Sequence, residues 1–518
     1  MPAESLMRWP DLVVIAANLA AMVAIGIYCA RKTRSADAYF LADRKMPGWV
    51  VGFSLMATLI SSMTFLAIPA TTYSQDWRYI PAHVLYILPA IIGYFVFLPF
   101  FRRGHVRSAY EYLERRYGTW ARLYGAFSFL LYHLFRVGVI LYVVSLAVQT
   151  MTGFSMPWII AVLGVLVATY AVAGGLQAVI YTDLLQGLSL VIGGLICLPI
   201  IARLLPGGWT QIFSEAYEGG KFGLGNTDWA FDKETVWVLI LVYQFEFLRL
   251  VCADQTMVQR YVAMKTDREA RRGYLLGVCL TIPVWIYFAL LGTAIFVLDK
   301  NLAALSFEGA QPEQVVPQFL LTHVPAGLAG IGIAGLLASA MSTLDSSINS
   351  SAATVTTDFY RRFRPAAGDE QHYLRVGRAL SLLFSVFMIG VALWIHASRS
   401  EEGTLMDLQT IVYPIVNTGL LSMFLLGFLT VRVGSGAALN ATAGTVLLVV
   451  GWVFLTTEVG QQHFPELADR LPNRFWIGVL PPLFLLAVGY LLSFALPQIP
   501  DKDLENLTIW TTSDDPSP

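Results

Sequence analysis

Apolar runs of about 20 residues or more follow one another from Asp11 to Leu496, separated by short polar connectors. Inside a bilayer every backbone N–H and C=O needs an internal partner, so runs of this length are restricted to spanning helices. A hydrocarbon core about 30 Å thick takes roughly 20 residues at 1.5 Å each. By that criterion the chain is expected to be an all-α integral membrane protein with about thirteen transmembrane helices. Their approximate bounds are 11–31, 48–73, 79–102, 122–151, 156–173, 176–203, 234–260, 274–298, 326–360, 373–398, 406–430, 436–457 and 475–496. Composition agrees: 56% of the 518 residues are hydrophobic and only 13% charged, which a soluble fold of this length does not sustain.

The net charge of −1 conceals a strong sidedness and gives no reason to expect nucleic-acid binding. Basic residues gather in alternate connectors. These hold Arg31, Lys32, Arg34, Arg44 and Lys45; Arg102, Arg103, Arg107, Arg115, Arg116 and Arg122; Arg260, Lys265, Arg268, Arg271 and Arg272; and Arg361, Arg362, Arg364, Arg375 and Arg378. The positive-inside rule makes these connectors cytoplasmic, and an odd number of spans then puts the N-terminus outside and the C-terminus in the cytoplasm. The intervening loop 204–233 carries Glu215, Glu218, Asp228 and Asp232, as an outside loop would. Cys29, Cys197, Cys252 and Cys279 fall in apolar spans without metal-site spacing and read as small core residues. The first span lacks a small-residue cleavage site and reads as a retained helix. The tail after Pro500 is short and polar, with no room for a second domain.

Polar residues at membrane depth locate the chemistry. In the ninth span Ser339, Ser342, Thr343, Ser346 and Ser350 share one helical face, with Asp345 and Asn349 on its flank. A stripe of hydroxyl oxygens suits a hard monovalent cation, which neutral oxygens hold weakly enough to release. Back-bonding to the preceding turn, or close packing of small residues, explains any one of these serines equally well. The second span is interrupted by Ser54, Ala57, Thr58, Ser61, Ser62 and Thr64, where a helix can unwind. Five spans later Gln244, Glu246, Arg249, Asp254 and Gln255 interrupt the seventh, and Gln409, Tyr413, Pro414 and Asn417 interrupt the eleventh. Freed carbonyls are tolerated at that depth only around a wet or ion-filled cavity, so these spans and the stripe outline one.

Several motifs follow in order: Ser342-Thr343-Leu-Asp345-Ser346 with Asn349-Ser350; Thr357-Asp358-Phe-Tyr360; Gly174-Gly175-Leu-Gln-Ala178-Val-Ile-Tyr181-Thr182-Asp183; Val258-Gln259-Arg260-Tyr261; and Phe53-Ser54-Leu55. With them the chain resembles the sodium/solute symporters, which include sodium-coupled sugar, sialic acid, proline, iodide and vitamin carriers. The resemblance implies a five-plus-five inverted-repeat symporter fold with an extra N-terminal helix and C-terminal helices. On this chain that layout gives an N-terminal helix and first loop over 1–47, repeats over 48–203 and 234–433 with the outside loop 204–233 between them, C-terminal helices over 434–496 and a cytoplasmic tail over 497–518. It also implies a main sodium site at the carbonyls of Ala57, Ile60 and Ser339 and the hydroxyls of Ser342 and Thr343. Some relatives hold a second cation at positions matched by Asp183 and Ser346; here a further serine of that set is replaced by Asp345. The extra carboxylate can strengthen a cation site, carry a proton, or pair with a buried base.

Arg136 lies in the fourth span, about 20 Å from either end, too deep to snorkel. It either pairs with a buried acid or grips a carboxylate of the solute bidentately. The resemblance favours the grip, because in sialic acid carriers an arginine at this position holds the sugar's carboxylate. Thr58, Ser61 and Thr64 can serve a polyol, and His83 stands where sugar carriers have another polar or acidic side chain. The position of the sugar carriers' inner-gate tyrosine is not aromatic here, which disfavours a galactose-type site. Glu246 and Arg249, three apart on one helix, are expected to pair with each other, and His133 reads as a satisfied core histidine.

The function expected is therefore sodium-coupled symport of a small polar solute across the cell membrane, sialic acid or another carboxylated solute, with Na+ as the coupling ion and no obligate protein partner. The alternatives are a sodium/neutral sugar symporter and a transporter-like sensor; the short tail weighs against the sensor. An enzyme is not expected, since no His-x-x-x-His, paired-aspartate or nucleophile-elbow pattern stands at the membrane surface. Gly330-Ile-Gly332-Ile-Ala-Gly335 has dinucleotide-fingerprint spacing but follows no strand, so close helix packing is expected instead.

Overall fold

The computed structural model describes residues 7–104, 106–302, 311–364, 369–398, 419–497 and 504–511. Among these, ten helices are long and apolar enough to cross a bilayer, and a bent pair makes an eleventh. The spanning helices are α1 (Trp9–Lys32), the bent pair α2 and α3 (Gly48–Leu59 and Met63–Ser74), α4 (Ile80–Arg103), α6 (Thr119–Thr152) and α7 (Met156–Leu204). A surface helix α5 (Tyr110–Tyr117) precedes α6. The second half comprises α8 (Val236–Ala253) with its continuation α9 (Gln255–Ala263), then α10 (Asp267–Asn301), α11 (Leu328–Phe363) and α12 (Glu370–Ser398). A shorter α13 (Leu420–Leu429) leads to α14 (Ser435–Leu455) and α15 (Arg474–Leu492).

Two differences from the expected thirteen spans have local causes. The spans expected over 156–173 and 176–203 form one helical run of 49 residues, about 74 Å if straight and twice what a bilayer holds. Gly175 breaks it, at φ 64° and ψ −159°, a conformation closed to residues with a side chain; a Cβ there would also lie 2.5 Å from the Tyr39 carbonyl. Of the expected eleventh span, α13 is the described part, and Gln409, Tyr413, Pro414 and Asn417 lie outside the described residues.

Burial ranks the helices. Of the apolar window of α11, 89% is buried, against 22% for α1, so α11 is the central post and α1 lies at the periphery. The close packing expected of the glycine series is present. A Cβ on Gly330 would come within 2.7 Å of Asp11 Cα, and one on Gly335 within 2.7 Å of the Ser189 carbonyl. Asp11 in turn accepts hydrogen bonds from Gly327 N at 2.7 Å and Gly330 N at 2.8 Å, so a carboxylate of α1 satisfies the orphan amides at the start of α11. Cys29, Cys197 and Cys252 are buried as expected; Cys279 is exposed, because its face of α10 looks away from the helix bundle.

The first break bends the chain by 58° between α2 and α3. Each arm holds 12 residues, about 18 Å, so the break falls near the middle of a bilayer. The second break, between α8 and α9, is at Asp254, with φ −87° and ψ 120°. With α7 counted as two spans, the breaks open the first and sixth spans after α1, as in a five-plus-five inverted repeat.

Candidate functional site

Helix α2 ends because Ile60 adopts φ −97°, ψ 99°, which turns its carbonyl out of the helical direction. The last carbonyls of a helix have no partner within it, so those around the break must find one elsewhere. The serine stripe of α11 faces them. Ser342 Oγ donates to the Ala57 carbonyl at 2.9 Å and approaches the Ser339 carbonyl at 3.3 Å; Thr343 Oγ1 stands 3.5 Å from that carbonyl. Ser339 Oγ donates to Leu336 O at 2.7 Å, leaving its own carbonyl for the cluster. Ala57, Ile60, Ser339, Ser342 and Thr343 are all at most 1% exposed. Neutral oxygens from a helix break and a facing helix thus converge without a charged side chain, a donor set that fits a monovalent cation.

On the far side of the break lies a cavity of about 300 Å³, lined by Thr58, Ser61, Thr64, His83 and Arg136 together. It extends past Thr71 and Thr72 to Asp76, Trp77 and Tyr79 at the end of α3. His83 Nδ1 donates to the Tyr79 carbonyl at 2.8 Å, so in the neutral ring Nε2 is an acceptor. Its ring is boxed by Trp285, Tyr243 and Phe247 at centroid distances of 4.7, 4.9 and 5.8 Å. These aromatics were not singled out in the sequence, although Tyr243, Glu246, Phe247 and Leu250 recur at i, i+3, i+4 and i+7, a helical face that now proves to line the cavity.

Charge on the cavity wall is arranged around Tyr132. Arg249 pairs with Glu246 as expected, at 2.9 and 2.6 Å, and also reaches Asp254 at 3.2 Å. Its guanidinium lies 4.6 Å from the Tyr132 ring, that of Arg136 lies 5.8 Å away, and Tyr132 OH donates to Glu246 at 3.2 Å. Asp254 caps α9 through Thr256 N at 2.9 Å and stands 3.4 Å from His133 Nε2, while His133 Nδ1 meets Ser347 Oγ at 2.9 Å. His133 is thus a satisfied core residue. Around Tyr132 the wall sets the guanidiniums of Arg136 and Arg249 against the carboxylates of Glu246 and Asp254, and Glu246, 35% exposed, presents its carboxylate to the cavity.

A second cluster, of side chains that do not line the cavity, is buried. Asp183, Asp345 and Ser346 do meet, and a residue assigned above to a connector meets them. Arg260 is fully buried, because the break at Asp254 carries α9 back into the bundle. Its guanidinium donates to Asp183 at 2.8 Å, Ser346 Oγ at 2.6 Å, Ser54 Oγ at 2.8 Å and the Thr256 carbonyl at 2.9 Å. Ser54 also donates to Asp183. Asp345 accepts from Ser346 at 3.3 Å and from Thr182 at 3.4 Å. Four helices are tied here by two carboxylates and one guanidinium. Arg116 and Arg122 likewise leave the connector set: Arg116 donates to the carbonyls of Gly427 and Thr430, and Arg122 to Asp358 at 2.7 Å and Glu114 at 2.6 Å.

A model of the sodium:solute symporter family matches residues 39–444. The chain belongs to that family. Among curated members it is 31% identical over 482 residues to the sodium/sialic acid symporter NanT of Aliivibrio fischeri, covering 93% of this chain and 92% of the relative. It is 30% identical over 438 residues to the sodium/sialic acid symporter SiaT of Proteus mirabilis, covering 84% and 88%. A solved structure of a Na+-coupled sialic acid symporter in a substrate-bound, outward-open state superimposes with a TM-score of 0.86 at 28% identity, over 95% of this chain and 99% of that one. Members of this symporter family are secondary transporters and not enzymes.

Proposed function

We propose that this symporter couples sodium entry to uptake of a small carboxylated solute, with sialic acid as the favoured substrate. The observation that carries the reading is the adjacency of the two donor sets across one break. Ala57, Ile60, Ser339, Ser342 and Thr343 supply neutral oxygens on one side, and Thr58, Ser61, Thr64, His83 and Arg136 line the cavity on the other. Sodium at the first set would hold the break against α11 and thereby shape the second, so ion and solute each favour the state that binds the other. Arg136 offers the carboxylate a planar fork, the three hydroxyls suit a polyol, and His83 Nε2 accepts from a hydroxyl. The two relatives that carry sialic acid support the choice of substrate.

The rest of the reading follows the fold. The repeats over 48–203 and 234–433 rock about the site, the N-terminus lies outside, the C-terminus lies in the cytoplasm, and the cavity opens outward. Asp183, Asp345 and Ser346 form a second cation position in which Arg260 supplies one positive charge, so a mobile cation there balances the one carboxylate left over. The membrane potential adds about 2.3 kcal/mol per charge per 100 mV to the drive for sodium. Uptake of labelled sialic acid into proteoliposomes tests the reading: it is expected only with an inward sodium gradient and to rise with an inside-negative potential. Uptake that persists without sodium, or uptake of a labelled neutral sugar where sialic acid is neither taken up nor competes, overturns it.

A further inference from the structure

A groove of about 610 Å³ runs along the outer side of the bundle where α1, the first half of α7 and α12 meet, well away from the solute cavity. Its walls are apolar, with Val172 on α7 and Val386 and Ile389 on α12. Its polar end is different. Arg31 enters it from the last turn of α1, and Arg378 enters it about 12 Å from the start of α12.

Neither arginine makes an ion pair among the described residues, and the acids near the start of α12 are engaged elsewhere: Glu370 with Arg361 at 2.7 Å and Asp369 with Arg375 at 3.8 Å. Arg378 Nε is buried and has no hydrogen-bond partner among the described residues. A buried guanidinium N–H without an acceptor is costly, and a phosphate relieves it because its oxygens match the guanidinium fork. Two unpaired positive charges at the head of an apolar groove, on the lipid-facing side of a membrane protein, match one ligand chemistry: a negatively charged headgroup joined to an acyl chain.

We infer that this groove is a binding site for an anionic phospholipid, with its phosphate between Arg31 and Arg378 and an acyl chain along Val172, Val386 and Ile389. The site bridges helices of both repeats, so the bound lipid is positioned to staple α12 to α1 and α7.

The test is native mass spectrometry of the full chain in detergent, titrated with phosphatidylglycerol or phosphatidylcholine. Wild-type protein should retain phosphatidylglycerol several-fold more than phosphatidylcholine. Arg31→Ala combined with Arg378→Ala should lower phosphatidylglycerol retention about fivefold or more, to the phosphatidylcholine level. Ala168→Trp, which fills the groove and leaves both arginines in place, should lower retention of both lipids. Equal retention of the two lipids by wild type overturns the inference, as does a phosphatidylglycerol adduct undiminished in the double variant. If the double variant does not fold, undiminished retention in Ala168→Trp overturns it instead.

Discussion

Ser342 of α11 donates its hydroxyl hydrogen bond to the Ala57 carbonyl at 2.9 Å, joining the central helix to the end of α2 where the second span breaks. That single contact links the proposed ion-binding oxygens to the residue next to Thr58, which lines the cavity. Replacing Ser342 and Thr343 by alanine removes two of the five proposed sodium oxygens. Sodium activation of uptake should weaken by about tenfold or more, the equivalent of about 1.4 kcal/mol or more, while the folded protein remains. Sodium titrations of uptake and of thermal stability check this; unchanged half-saturation would refute the site.

Arg136 is expected to discriminate by geometry as well as charge. Arg136→Lys keeps the charge and loses the fork, so solute affinity should fall almost as far as in Arg136→Gln, by about 10- to 100-fold for charge-assisted hydrogen bonds worth about 1.5–3 kcal/mol. Calorimetric binding of sialic acid to the purified variants measures it. Wild-type affinity in Arg136→Lys would remove the bidentate grip from the reading.

Arg260 holds Asp183 inside the bundle with no water to replace it. Truncating one partner of a buried pair costs about 3–5 kcal/mol, because the other is left charged and alone. Arg260→Met should therefore lower the melting temperature in detergent, and adding Asp183→Asn should recover much of the loss. A double variant no more stable than Arg260→Met would show that the pair does not govern stability here.

Gly335 has no room for a side chain beside the Ser189 carbonyl. Gly335→Val is expected to push α11 off α7 and to cost at least about 1–3 kcal/mol, as overpacked cores do. Thermal unfolding of the variant gives the value; an unchanged midpoint would mean that the two helices can separate freely.

Glu114 on the surface helix α5 supplies a pH signature. Burial works against its charge, but the hydrogen bond and the positive charge of Arg122, with Arg362 behind, outweigh that and hold its carboxyl below the usual carboxylate range. A depressed folded-state value stabilises the protein above the unfolded value and is lost as pH falls through the folded one. Wild type should lose stability toward acid below about pH 4, the ordinary glutamate range, and Glu114→Gln should flatten that limb. Melting curves between pH 3 and 7 compare the two.

How far the sequence reaches is seen by comparing residues. The meeting of Ser342 with the break at Ala57 was legible from polar residues at membrane depth, which have to share a cavity, whereas the set Ala57, Ile60, Ser339, Ser342 and Thr343 came only from the resemblance. The pairing of Glu246 with Arg249 was legible from their spacing on one helix, which acts within a single turn. Arg260 was not legible. It belongs to a run of basic residues like those of the other connectors, and only the second break, at Asp254, returns it to the core.

Local and one-dimensional properties were thus available from the chain alone: apolar length dictates spanning helices, and polar interruptions mark where they open. What tertiary structure decided is which interruptions meet. Asp183 and Arg260 are 77 residues apart and His83 and Trp285 about 200, and no periodicity records such distances. The hydrocarbon that makes each span a helix is indifferent to which helices adjoin, so the charge pairs and the aromatic box around His83 arise only from packing.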